Sequence, residues 1–320
     1  KSGPVDWVVG AFYKHSERAI ASTVVTNPDL GSLLDGDNKY TFEQWAIFGE
    51  GTWHVTPRLH LTAGLRYFTE NDRFSVLTTG ALTGPGFANT STEKSSEFAP
   101  RFSVKYDVAE NAMIYATASR GFRAGGANPT KPIFDLLGGP IPNTYSPDTL
   151  WNYEAGFKSE LFDRKLTFNV AAYHMDWKNI QLPASAAVFS GTFNGGNATS
   201  DGVELELAAR PLPGLTLGVN GSYNNAKLSN TVILSTLSGP MLVAQKGNEL
   251  PLVPHWKASA DVEYSFPIGG GWSTALRGSW SYVDKRFNFA DNNPAEQLPS
   301  YQIVDLQIAF ESPRYDVVFF

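Results

Sequence analysis

An all-β fold, an antiparallel up-and-down transmembrane β-barrel present in part, is what the sequence predicts, and three observations predict it. Apolar and polar residues alternate with period two along most of the chain, while helical periodicity is scarce. The connections between these segments are short and long in turn. Aromatic residues recur ten apart on single strand faces. At ~3.3 Å per residue and ~40° of tilt, ten residues rise roughly 25 Å, the height of a barrel's apolar band between its aromatic girdles.

The elements follow in order. The chain opens in a strand, Val5-Asp6-Trp7-Val8-Val9, with no leader ahead of it, so it is expected to be a fragment or to have lost its N-terminus. A long connection near 18–38 leads to a strand that ends in the short turn 55–58 (Val-Thr-Pro-Arg). Beyond the next long connection, near 76–93, Phe98, Phe102, Val104 and Tyr106 alternate with Glu97, Arg101, Lys105 and Asp107 as far as the turn 108–111. Pro100 interrupts that segment. Proline removes a ladder donor, which places it at a bulge toward the long-loop end, above the lipid band.

After the long stretch 122–147, Trp151, Tyr153, Ala155 and Phe157 alternate with Asn152, Glu154, Gly156 and Lys158 up to the turn 162–165. Past 181–198, Val203, Leu205, Leu207 and Ala209 interleave with Glu204, Glu206 and Arg210 before the turn 211–214. Past 229–254 comes the hairpin around 267–271, with Trp256 and Phe266 on one strand and Trp272 and Tyr282 on the next. Setting Phe266 opposite Trp272 pairs Val262 with Leu276 and Ala260 with Gly278 toward lipid, and Asp261 with Arg277 inward. Last, past 285–300, Val304, Leu306, Ile308 and Phe310 alternate with Asp305, Gln307 and Glu311 as far as the turn 312–315.

Six short turns thus join twelve strands, and Asp316–Phe320 starts a thirteenth. The segments run about 10 to 16 residues, against roughly 5 to 6 in soluble sheets. No linker divides residues 1–320, which read as one domain. The turns recur every 45 to 56 residues, a hairpin pitch and not a solenoid repeat. Short turns on one rim with long loops on the other is the plan of outer-membrane barrels.

Composition excludes other classes. With 25 Lys+Arg against 31 Asp+Glu the formal charge is −6, which argues against nucleic-acid binding. The absence of cysteine removes disulfide scaffolds, thiolate metal sites and Cys nucleophiles together. No apolar run approaches the roughly 18 residues of a spanning helix. A soluble β-sandwich would also alternate, but would not need strands this long or aromatic pairs at membrane height.

Chemical motifs are few. His15, His54, His60, His174 and His255 form no metal spacing. His174 and Asp176 share a strand face as ligands would, yet read as a polar strand end near the loop rim. Asp35-Gly36-Asp37-Asn38 has the oxygen-rich look of a calcium loop without its Glu at position 12, and reads as a solvated turn. Gly121-Phe122-Arg123-Ala124-Gly125-Gly126 is expected to run from a strand into a loop and is no phosphate cradle. No Gly-x-Ser-x-Gly elbow supports a nucleophile. Asn197-Ala-Thr199 matches a glycosylation pattern without consequence in a bacterial envelope. Trp7, Trp151, Trp177, Trp256, Trp272 and Trp280 are expected to be interfacial girdle residues. Tyr145, Phe189 and Phe193, within long loops, are better ligand candidates. No catalytic, cofactor-binding or metal-binding residue is assigned; the protein is not expected to be an enzyme, and its ligand-binding residues stay unknown.

Four stretches carry a family resemblance. They are Gly64-Leu-Arg-Tyr67 with Thr69-Glu70 after a Thr-Pro turn, and Ile114 through Gly126 with Asn128-Pro129. Next come Trp151 through Glu160 and Leu166 through Trp177 with Asn179-Ile180-Gln181, and finally Asp201-Gly-Val-Glu-Leu-Glu206. In this order, at one hairpin pitch, they resemble TonB-dependent outer-membrane receptors. The resemblance implies a barrel of about 22 strands, of which about 12 to 13 lie here. An N-terminal plug and TonB-contacting segment would precede Lys1, and one strand would follow Phe320.

It implies import of a large scarce solute across the Gram-negative outer membrane: a ferric siderophore or similar iron complex, cobalamin or an oligosaccharide. Energy would come through the partner TonB, and outer-membrane lipid and lipopolysaccharide would surround the wall; no cofactor is implied. A passive porin-like channel is the alternative. A barrel enzyme such as an outer-membrane lipase is disfavoured by the missing nucleophile signature.

Overall fold

The computed structural model describes residues 3–24, 32–81, 86–128, 141–186, 189–236 and 239–320. Among these described residues, thirteen antiparallel strands form one sheet in chain order, without crossovers. They are β1 (Val5–Val24), β2 (Leu34–His54), β3 (Leu59–Thr79), β4 (Phe87–Ala109), β5 (Ala112–Arg123), β6 (Asp148–Leu161) and β7 (Leu166–Lys178), followed by β8 (Ala198–Leu212), β9 (Leu215–Leu228), β10 (Trp256–Gly269), β11 (Trp272–Val283), β12 (Tyr301–Glu311) and β13 (Asp316–Phe319). All six expected short turns join hairpins of this sheet. No helix is long and apolar enough to cross a membrane among the described residues.

The alternation assigns the faces. Tyr223, Val203, Ala172, Ala155, Ala116, Val104, Leu61 and Trp53 follow one another across eight strands on one face. That face has no second layer: Trp7 is 74% exposed, Leu306 72% and Val304 64%. Such an apolar surface is stable only against lipid or detergent. The opposite face carries cross-strand ion pairs, among them Glu50–Arg101 at 3.1 Å and Glu263–Arg277 at 2.8 Å. It is the luminal face.

β1 to β4 run 20 to 23 residues, well beyond the expected 10 to 16. Much of 18–38 and 76–93, read from sequence as loop, is strand, and pairing continues to Val24↔Leu34 and Thr78↔Phe87. Asp35–Asn38 therefore lies in β2, paired on both sides, and is not a solvated turn. The cause is a reversal of polarity along the strands. Leu61, Ala63, Leu65 and Tyr67 face outward on β3, but beyond them the outward residues are Thr69, Asn71, Arg73 and Ser75, and the inward ones include the buried Phe68, Phe74 and Val76. β2 does the same, with Trp45 and Ile47 outward but Tyr40 and Phe42 inward. The switch falls at an aromatic girdle in which Tyr67 lies 5.5 Å from Trp45 and 4.7 Å from Phe98. Below it the outer face meets lipid; above it that face meets water and the inner face packs.

Two local expectations are corrected. In the β10–β11 hairpin Ala258 pairs with Tyr282, Val262 with Gly278 and Glu263 with Arg277, so the register is two residues from the expected one. The strands run on to Gly269↔Trp272, closed by Gly270 and Gly271 alone at φ 63° and 78°. Left-handed φ at both central positions is the tight hairpin turn that matches strand twist, and glycine adopts it without steric cost. A bulge between Pro267 and Gly269 absorbs the remainder. An even shift preserves the faces, but Arg277 meets Glu263, at 2.8 Å, and not Asp261.

Pro100 is at no bulge. It pairs with Leu65 within the apolar band, and the β4–β5 ladder ends just below it at Arg101↔Ser119. Proline thus occupies the first position where β4 lacks a β5 partner, an edge-like use of a residue without N–H.

The long-loop rim has its own small core. Among the described residues, four two-stranded ribbons rise there: Gly126–Ala127 with Thr144–Tyr145, Gln181–Ala186 with Phe189–Asn194, Val232–Thr236 with Gly239–Ala244, and Arg286–Phe287 with Gln297–Leu298. Ile180, Leu182, Phe193, Leu228, Val232 and Leu250 form a buried cluster at their base.

Candidate functional site

Above the girdle, the inner faces of β1 to β3 and the first ribbon line a cavity of about 340 Å³. Arg18 from β1, Tyr40 and Phe42 from β2, and Glu70, Asp72 and Phe74 from β3 form its wall, and Tyr145 closes it from the loop side. The aromatic rings make a corner. Phe74 stands at 88° to Tyr40, 5.5 Å away, and at 89° to Phe42, 5.9 Å away. Tyr145 comes close because Gly125 and Gly126 lack side chains. A Cβ at Gly126 would lie 2.5 Å from the Tyr145 hydroxyl, and one at Gly125 2.5 Å from the Tyr145 carbonyl. The glycine-rich stretch after β5 is thus a seat for a tyrosine.

Asp72 is only 3% exposed, and its Oδ1 has no hydrogen-bond partner. Burial first, then the charge of Glu70 and a hydrogen bond shared with it, push the Asp72 carboxyl up from 3.8 to about 8. Glu70 in turn accepts from the Gln44 amide. Burial also raises Glu93 on β4, partly offset by a hydrogen bond to Thr144. Burial, followed by the Asp72 charge, raises the Tyr145 hydroxyl. Asp72 and Glu93 are therefore poorly solvated, so a neighbouring charge weighs heavily on them.

A hydrogen-bonded knot holds the ribbon over the cavity. Asp148, 1% exposed, takes Nε–H of Arg123 at 2.9 Å and the backbone N–H of Gln181 at 3.0 Å. The Gln181 amide donates to Ala124 O at 2.8 Å and Ser146 O at 3.1 Å. Asn128 donates to Pro142 O and Thr192 O and accepts from the Thr192 N–H at 2.8 Å. Arg123, Asn128 and Gln181 belong to the stretches that carried the family resemblance, and their work here is to tie three loops together.

Other residues singled out from sequence fall elsewhere. Of the three loop aromatics, Tyr145 is the one in the cavity lining. Phe193 is buried in the rim core and is structural. Phe189 opens its ribbon strand. Trp177 faces inward, against the rim core and under the Arg123 guanidinium at 4.8 Å, so it is no girdle residue. Trp7 and Trp256 lie exposed on the outer face as expected. His174 pairs with Asp201 at 2.7 Å and Asp176 at 3.4 Å. No group of three His or acidic residues able to hold a metal ion occurs among the described residues.

Two further luminal features lie away from this cavity, and the alternation already turned Lys158, Glu204 and Glu206 of the first one inward. Lower on the wall, Glu154, Lys158, Glu204, Glu206 and Lys257 line a mixed-charge groove of about 590 Å³. At the short-turn rim a chain of hydrogen bonds links Asp6, His54, His60 and Asp107, with 2.7 Å between the imidazole Nδ1 atoms. The signal that reveals Asp72 is the polarity reversal: an acid set between Phe68 and Phe74 on a face that has just turned apolar.

Comparison with known proteins bears on this wall. The family described as TonB dependent receptor-like, beta-barrel, matches residues 2–318. The pesticin receptor of Yersinia pestis is 25% identical over 258 residues, 81% of this chain and 35% of that receptor. The metal-pseudopaline receptor CntO of Pseudomonas aeruginosa is 26% identical over 221 residues, 69% of this chain and 28% of that receptor. The chain thus spans about a third of the length of these curated relatives. Among solved structures, the ferric yersiniabactin uptake receptor FyuA from Yersinia pestis superposes with a TM-score of 0.79 at 19% identity, covering 99% of this chain and 46% of that one. The siderophore receptor PiuA from Acinetobacter baumannii gives 0.71 at 17% identity, covering 97% and 47%.

Proposed function

The chain belongs to the TonB-dependent receptor β-barrel family, and from that premise we propose that it is the outer part of the wall of an active importer for a large, scarce solute. It is a strand-built wall of the Gram-negative outer membrane and not an enzyme. The proposed cargo is a ferric siderophore or a similar metal chelate, and the proposed energy source is contact with TonB through a segment of the same protein outside residues 1–320. The printed names of the relatives, receptors for pesticin and metal-pseudopaline and an uptake receptor for ferric yersiniabactin, support the cargo class.

The observation that carries the reading is the form of the long-loop rim. Its ribbons are tied by the Asp148, Gln181 and Asn128 hydrogen bonds into a shaped surface with a cavity on the luminal side. A preformed surface limits the ordering cost of binding, as capture of a dilute solute requires. The mixed-charge wall below it keeps the path wet.

The test is uptake of radio-iron chelates by cells carrying the receptor, with and without TonB. Uptake that needs both is expected. Uptake that continues unchanged without TonB would make the protein a passive channel.

A further inference from the structure

The geometry points to the cavity of Tyr40, Phe42, Phe74, Tyr145, Glu70 and Asp72 as a binding site for an organic cation, a protonated amine or quaternary ammonium group carried by the cargo. The inference rests on the rim being where cargo is captured, and it names a chemical feature of that cargo.

Three independent features favour this ligand. The first is the unpartnered, buried Asp72 Oδ1. A buried polar atom without a partner costs free energy that a fitting ligand removes. An oxygen with lone pairs and no donor beside it calls for a donor or a positive charge. The second is the ring geometry. Perpendicular rings make a corner that holds a rounded cation against two π faces, whereas a flat platform suits a sugar ring. The third is size: about 340 Å³ admits an alkylammonium head group together with the chain that carries it. A bare metal ion is disfavoured, because no three acidic or imidazole groups converge on one point among the described residues.

Charges face the cavity from several walls. Glu70 and Asp72 on β3 are joined by Glu93 on β4, close to Gly125. Arg18 on β1 opposes them. Arg123 stands near Tyr145, and Asp148 takes its charge in a multidentate pair. Three acids against one unmatched arginine leave the cavity negative once Asp72 ionises. Cation binding should therefore strengthen as pH rises from 7 toward 9, while the cation holds its own charge.

The test uses choline and 3,3-dimethylbutan-1-ol, which share a shape and differ in charge, on the receptor purified in detergent from outer membranes. Binding is read at equilibrium by saturation-transfer NMR without TonB. Choline should bind at least tenfold more tightly than the neutral alcohol, and Asp72→Asn should erase the difference. Tyr145→Ala, in the loop ribbon and outside the sheet, should weaken choline binding several-fold without touching wall assembly, which heat-shifted migration on gels checks. Should Asp72→Asn fail to assemble, Glu70→Gln and Tyr145→Ala carry the test.

Equal binding of both probes, or a choline preference that survives in the assembled variants, would overturn the site. Tighter binding of a methyl glycoside than of choline would overturn it in favour of a sugar. Choline preference with TonB-independent uptake would leave the site standing and remove only the importer proposal.

Discussion

Asp72 concentrates the chemistry of this chain in one side chain. Its carboxyl is held at about 8, against 3.8 ordinarily, chiefly by burial and next by Glu70. Between those two pH values the folded protein binds a proton that the unfolded chain releases, so stability falls as pH rises through that window. Asp72→Asn removes the titrating group and keeps the shape. Urea unfolding of the receptor in detergent should then show the wild type losing stability between pH 5 and pH 9 relative to the variant. By pH 9 the gap should have opened by up to about 4 kcal/mol, about 1.4 kcal/mol for each pH step between 5 and 8. Parallel pH curves would mean that Asp72 is solvated. Tyr145 was legible as a ligand candidate because a tyrosine in a long loop has few structural duties. Asp72 was not, because its burial depends on a ribbon more than fifty residues away in sequence.

At the scale of the element, each long strand carries two patterns joined end to end. Odd-numbered apolar residues up to Tyr67 and even-numbered ones from Phe68 onward put the membrane boundary on β3 within the sequence itself. The register of a hairpin is less legible, because it depends on which residues the turn consumes. Gly269 to Gly271 allowed either a five-residue loop or a two-residue turn, and the left-handed φ of Gly270 and Gly271 selects the second. Cysteines at 263 and 277 should therefore cross-link readily in the assembled receptor, and those at 261 and 277 poorly. The reverse ranking would restore the register in which Phe266 faces Trp272. Pro100 belongs to the same scale: its missing N–H was plain, but only the neighbouring strand's course shows that no partner waits there.

For the whole molecule the decisive quantity is the unpaired surface. Among the described residues the thirteen strands form an open order from β1 to β13, so within residues 1–320 two strand edges find no partner in the sheet. In lipid each unsatisfied backbone group costs several kcal/mol, and in water a long edge templates aggregation. The outer face adds an apolar surface with nothing packed on it. The 320-residue chain produced alone and kept free of detergent should therefore sediment as large assemblies. A monodisperse species without detergent would overturn the membrane assignment outright.

The sequence by itself determined the class, the strand count, the faces and the rim on which the long loops lie. All of these follow from the two-residue period of a strand and from hairpin pitch, which are local properties. Tertiary structure alone decided the β10–β11 register, the inward position of Trp177, the burial of Phe193 and the meeting of Asp72 with Tyr145. Each of those depends on chain segments that approach one another from a distance, and alternation along one strand contains no information about what another strand or loop will cover.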